Sequence, residues 1–170
     1  MSSSAGYVYL ARAIRDFGDG FVAILLPVYL IALGLSAFEV GVVATLALLG
    51  SAILTLAIGF FGGGRDHRVL LLAASALMAA TGIAYAAAGD YALLLIVAFV
   101  GTINPSGGST SIFVPLEHTV LSCAVAPVER TRAFARYSLI GALAGAFGSL
   151  LAGMPEWLAA PLFALAHQSL

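Results

Sequence analysis

Charged residues divide this sequence into long uncharged stretches. Gly20–Phe38 runs 19 residues without a charge, Val40–Gly64 runs 25, Val69–Gly89 21, Tyr91–Leu116 26 and Tyr137–Pro155 19; a last stretch, Trp157–Leu170, has 14. A helix rises ~1.5 Å per residue, so about 20 apolar residues cross a ~30 Å hydrocarbon layer. Five stretches are long enough to span it, and the sixth is short by about one and a half turns. Membrane-spanning strands need ~9–11 residues in strict alternation, whereas Leu, Ala, Val and Gly run on here without alternating. In lipid the backbone must satisfy its own hydrogen bonds. The pattern therefore predicts one all-α integral membrane domain over residues 1–170, a six-helix bundle. Its helices are expected near 12–35, 39–61, 69–88, 91–112, 134–153 and 157–170, the sixth incomplete, with a cytoplasmic connection over 115–133.

Composition strengthens this reading. Apolar residues are 62% of the chain, charged residues 9%, and mean hydropathy is +1.08. A soluble domain carries ~25% charged residues, so neither a soluble enzyme nor a disordered chain fits. There is no Lys and the net charge is -1, which leaves no basic surface for nucleic acid. The single Cys123 excludes an internal disulfide framework and a multi-cysteine metal site. No phosphate-binding glycine loop of the ATPase type occurs, and His67, His118 and His167 are scattered. No enzyme, metal or cofactor is expected.

The arginines give the orientation. Arg12 and Arg15 precede the first span, Arg65 and Arg68 join the second to the third, and Arg130, Arg132 and Arg136 join the fourth to the fifth. All three clusters fall on one side, and the other side holds Glu39, Asp90 and Glu156. The positive-inside rule places the N-terminus in the cytoplasm, in a bacterial-type inner membrane. No small-x-small cleavage pattern closes the first apolar stretch, so it reads as a retained span rather than a signal peptide.

Four polar or small-residue features could carry chemistry. In Arg12–Gly20, Arg12–Asp16 and Arg15–Asp19 are i, i+4 pairs, and Asp16 and Asp19 share a face. Either these charges form a neutralised ladder anchoring the helix end at the headgroups, or a carboxylate faces an aqueous cavity and takes a cation, a proton or the substrate. In Gly59–Arg68, three glycines precede Arg65, Asp66, His67 and Arg68. That loop reads as a cytoplasmic latch or as a solvated turn that fixes topology. Asn104 precedes Pro105 and Gly107–Gly108; it either contacts substrate at a helix break or stands near the end of the fourth helix. Finally, Gly141, Gly145, Gly148 and Gly153 stripe the fifth predicted helix with small residues, a surface for close helix packing.

The chain resembles the N-terminal half of a major facilitator superfamily transporter. The resemblance rests on the RAIRDFGDGF opening of helix 1, the short basic glycine-rich loop between helices 2 and 3, the long connection before helix 5, and the glycine stripe. In the family's helix 2–3 loop pattern, Gly59 and Arg68 match; Gly63 stands where the family has Asp, and Asp66 where it has Gly. The resemblance implies alternating access to a small solute, with a coupling proton or cation as a further partner, between two six-helix halves. It implies that Arg15, Asp16, Asp19 and Asn104 line the pathway and that Arg65, Asp66, Arg68 and Arg136 serve the cytoplasmic gate. One half alone cannot close a transporter, so a C-terminal half is expected as partner within the bilayer. A non-transporting membrane scaffold or assembly subunit is the alternative.

Overall fold

The computed structural model describes residues 3–61, 66–101 and 113–167, with side chains described for 5–60, 66, 68–101 and 113–154. Helix α1 is Ser3–Ala32, α2 Ala37–Phe61, α3 His67–Ala87, α4 Tyr91–Val100, α5 Phe113–Ala124 and α6 Arg130–His167, with a 3-10 turn at Pro127–Glu129 before α6.

Local chemistry sets the turns. Gly34, with φ +90, closes α1 in the left-handed region, where its N–H reaches the Ile31 carbonyl and Leu35 N–H reaches that of Leu30. Helix α2 follows at once. Ser36 and Glu39 form a reciprocal capping box: the Glu39 carboxylate accepts from Ser36 N and Oγ, both at 2.8 Å, and Glu39 N–H donates to Ser36 Oγ at 3.3 Å. Asp66 caps α3 by accepting from Arg68 N–H at 3.0 Å.

Three of the helical segments, Ala37–Phe60, Arg68–Ala87 and Pro127–Met154, are long and apolar enough to cross a membrane. Their outer faces stay apolar: Phe60 is 82% and Ile83 71% exposed. A water-soluble surface does not present such residues in continuous bands, whereas lipid does.

The helices differ from the sequence reading in three places. Helix α1 begins at Ser3 rather than near residue 12, so Arg12–Asp19 lies at mid-helix instead of at its N-terminal end. The expected connection over 115–133 contains helix α5, because Phe113, Leu116 and Leu121 have partners to bury against. The two spans expected at 134–153 and 157–170 run as one helix, Arg130–His167, through Pro155. Proline removes one backbone donor but does not oblige a membrane helix to stop.

Two larger cores, and a smaller one of Ala74 in α3 with Phe113 in α5, hold the bundle. Leu26 and Leu30 of α1 pack with Val43 and Ala47 of α2, Tyr85 of α3, and Leu94 and Ala98 of α4. At the other end of α1, Ala5, Val8 and Tyr9 pack with Leu121 of α5 and with Ala133 and Tyr137 of α6. The closest helix pairs are built on glycine. A Cβ on Gly50 of α2 would strike the Phe99 backbone of α4. On the longest interface, between α1 and α6, a Cβ on Gly20 would strike the Gly145 backbone, and one on Gly148 the Phe17 carbonyl.

Candidate functional site

At 3.6 residues per turn, positions 12, 15, 16 and 19 fall within about 100° of one another around a helix. Arg12, Arg15, Asp16 and Asp19 therefore share one face of α1, and all four are buried against α5 and α6. Leu10, Ile14 and Phe17 take the opposite face and are exposed. The helix is thus amphipathic in an inverted sense, polar inward and apolar outward, as expected of a lipid-facing helix beside an internal polar site.

The buried charges are paired with care. Arg12 Nε lies 2.7 Å from Asp16 Oδ2, one turn along the same helix. Arg15 makes a bidentate pair with Glu117 of α5, its Nη2 donating to Oε2 at 3.0 Å and its Nη1 to Oε1. It stands 3.6 Å from Asp16 Oδ1. Tyr137 of α6 completes the circuit: its hydroxyl donates to Glu117 Oε2 and accepts from Arg12 Nη1 at 3.2 Å. Ring faces cover both guanidiniums, Arg12 at 4.7 Å from the Tyr137 centroid and Arg15 at 4.5 Å from that of Phe113. A lone charge at mid-membrane costs ~2.5–3.5 kcal/mol on insertion scales, and this closed circuit spreads that cost over three helices.

Asp19 is outside the circuit. The expected Arg15–Asp19 pair does not form among the described residues, because the Arg15 guanidinium is turned to Glu117 and Asp16. Asp19 is 6% exposed, and its Oδ1 is buried with no hydrogen-bond partner among the described residues. It lines a cavity of about 400 Å³ between α1 and α6. Arg12, Asp16, Asp19 and Gly20 form one wall, and the α6 wall holds the glycine stripe and Ser149. Gly141 is needed there: a Cβ would meet the Asp16 carboxylate and the Arg12 guanidinium. Ser149 Oγ donates to the Gly20 carbonyl at 2.9 Å, holding the far end of the cavity closed.

The other predicted site residues are dispersed. Asn104 and Arg65 lie outside the described residues. Asp66 and Arg68 are exposed at the start of α3, where the Asp66 carboxylate caps the helix. Arg136 is exposed on α6. Gly141, Gly145 and Gly148 face α1, but no described atom lies within 4 Å of a Cβ placed on Gly153. The sequence reading missed Glu117 and Tyr137. One signal was present: Phe113, Leu116, Glu117 and Leu121 share one helical face, so Glu117 occupies an apolar register.

The sequence profile of the Major Facilitator Superfamily matches residues 8–163. Members of that superfamily are transporters rather than enzymes. An uncharacterized membrane protein of Saccharomyces cerevisiae is 23% identical over 141 residues, which are 83% of this chain and 32% of the yeast protein. The chain thus spans about a third of the length of that relative. No solved structure matches the chain.

Proposed function

The chain belongs to the major facilitator superfamily, and on that premise we propose that it is the N-terminal bundle of a secondary transporter. In this reading the chain forms one half, and a second helical half completes a pathway for a small solute by alternating access. The observation that carries the proposal is the buried face of α1. Charges held at mid-helix, beside a cavity of about 400 Å³, serve little purpose in a scaffold that needs only packing. Arg15 and Asp16 shape the pathway wall and Asp19 meets the solute or its coupling cation. Asn104 lies on the same pathway, and Arg65, Asp66, Arg68 and Arg136 belong to a cytoplasmic gate.

The arginine clusters support a cytoplasmic N-terminus in a cell inner membrane. Cysteines placed singly at positions 66 and 90 then label from opposite sides; labelling from one side contradicts the orientation. For transport, solute uptake into vesicles is measured with and without a supplied second half. Asp19→Asn lowers uptake at least about tenfold without lowering insertion, since insertion eases when a buried charge is removed. Wild-type uptake by the variant assigns Asp19 to anchoring instead.

A further inference from the structure

The buried circuit has an uneven charge. Two guanidiniums, Arg12 and Arg15, face three carboxylates, Asp16, Asp19 and Glu117. Both guanidiniums carry an ion pair, Arg12 with Asp16 and Arg15 with Glu117 in a bidentate fork, although neither Nε has a hydrogen-bond partner among the described residues. Asp19 is the surplus acid, and its Oδ1 is the buried carboxylate oxygen without a partner among the described residues. A buried carboxylate oxygen with no direct partner is costly, and positive charge placed against it would lower that cost.

The surroundings specify what kind. The cavity wall opposite Asp19 is glycine, alanine and serine, with Ser138, Ala142 and Ala146 exposed along its mouth. It contains no aromatic side chain to cage a quaternary ammonium and no group of three or more acids, His or Cys placed to hold a metal ion, among the described residues. Arg12 also lines the cavity, but its charge is neutralised by Asp16 at 2.7 Å. Ser149 Oγ, while donating to Gly20, keeps its lone pairs free to accept from a second donor. A primary ammonium carries three N–H donors and no acceptor, which suits a cavity lined by one unpartnered carboxylate oxygen and the hydroxyls of Ser138 and Ser149. At about 400 Å³ the cavity is at the small end of the ~300–1,000 Å³ range of small-molecule sites.

We infer that the cavity between α1 and α6 binds the ammonium group of a small primary-amine solute, with Asp19 as its counter-ion. This deepens the transport reading by naming a solute class, and binding is tested apart from transport. The full chain in lipid nanodiscs is titrated with propylammonium, with propanol as the neutral analogue and propionate as the anionic one, and its unfolding midpoint is followed. Propylammonium raises the midpoint saturably, and propanol and propionate leave it unchanged. Asp19→Asn weakens the propylammonium response at least about tenfold, Asp19→Glu retains it, and Asp90→Asn, at an exposed cap, leaves it as in the wild type. An equal response to propanol, a response to propionate alone, or an undiminished response in Asp19→Asn overturns the inference. Because the three probes are compared on the unaltered protein first, the result does not depend on any variant folding. Binding without uptake contradicts the transport reading alone; uptake without amine binding contradicts this inference alone.

Discussion

Two stretches of helix α1 are held by opposite means. Toward Ala32 the helix is an ordinary apolar partner, with Leu26 and Leu30 packed among Val43, Ala47, Leu94 and Ala98. Across its middle, inward of the apolar contacts of Ala5, Val8 and Tyr9, it carries Arg12, Arg15, Asp16 and Asp19 into the bundle, where α5 and α6 supply Glu117 and Tyr137. In lipid the apolar end gains little from burial itself, because acyl chains are as apolar as leucine; it depends on close packing. The charged stretch depends on ion pairing, since each charge left alone at depth is expensive. The comparison teaches that packing defects in the first stretch are graded, whereas pairing defects in the second are severe. Asp19 is the exception, its Oδ1 being without a partner among the described residues, and that is the ground on which we propose a ligand there.

The largest effect should come from breaking the circuit. Glu117→Ala leaves Arg15 buried without its fork, and should cost ~3–5 kcal/mol of stability, read as the shift in a detergent-unfolding titration. The double change Arg15→Met, Glu117→Leu should recover most of that loss, because an apolar pair of similar volume replaces a buried ion pair at little cost. A double variant as unstable as the single one would mean that the fork holds α5 in place by more than charge.

Glycine contacts rank next. Gly148→Val drives a side chain into the Phe17 backbone, which cannot swing aside, and should cost about 3 kcal/mol, the upper part of the overpacking range. Gly18→Ala, with nothing within 4 Å of the added Cβ, serves as the control and should be near neutral. At the apolar end, Leu94→Ala should cost about 2 kcal/mol, the low end of the buried-leucine range, since lipid removes most of the transfer term. The smallest effect is at the turn between α1 and α2. Ser36→Ala removes one side of the capping box and should cost ~1 kcal/mol, seen as faster amide exchange in the first turn of α2.

The apolar end was the more legible in the sequence. Uncharged runs locate α2 and α3 to within a few residues, because in those segments the charges stand at the helix ends. The same rule fails in the charged stretch. It treats Arg12–Asp19 and Glu117 as boundaries, yet paired charges inside a bundle do not end a helix; they lie beneath it. That is why α1 starts about two and a half turns earlier than the sequence suggests and why α5 was read as a connection. The i, i+4 relation of Arg12 and Asp16 is local and could be read directly. The Arg15–Glu117 pair spans 102 positions in the chain, and local spacing carries no sign of it. The small residues at 141, 145 and 148 could be read as a packing surface, but that they close on a charged face of α1, and leave a cavity there, depends on which helix they meet.

The central claim is that the charged stretch of α1 borders water within the membrane, whereas the outer face of the bundle borders lipid. In a Cys123→Ser background, single cysteines at Ala142, on the cavity mouth, and at Ala79, on the outer face midway along α3, compare the two directly. Both positions are exposed and both are alanine, so size and burial do not separate them. With the protein in sealed membranes, a membrane-impermeant charged thiol reagent should modify the cysteine at 142 readily and leave the one at 79 unmodified. Equal modification at both positions, or none at 142, would contradict the claim.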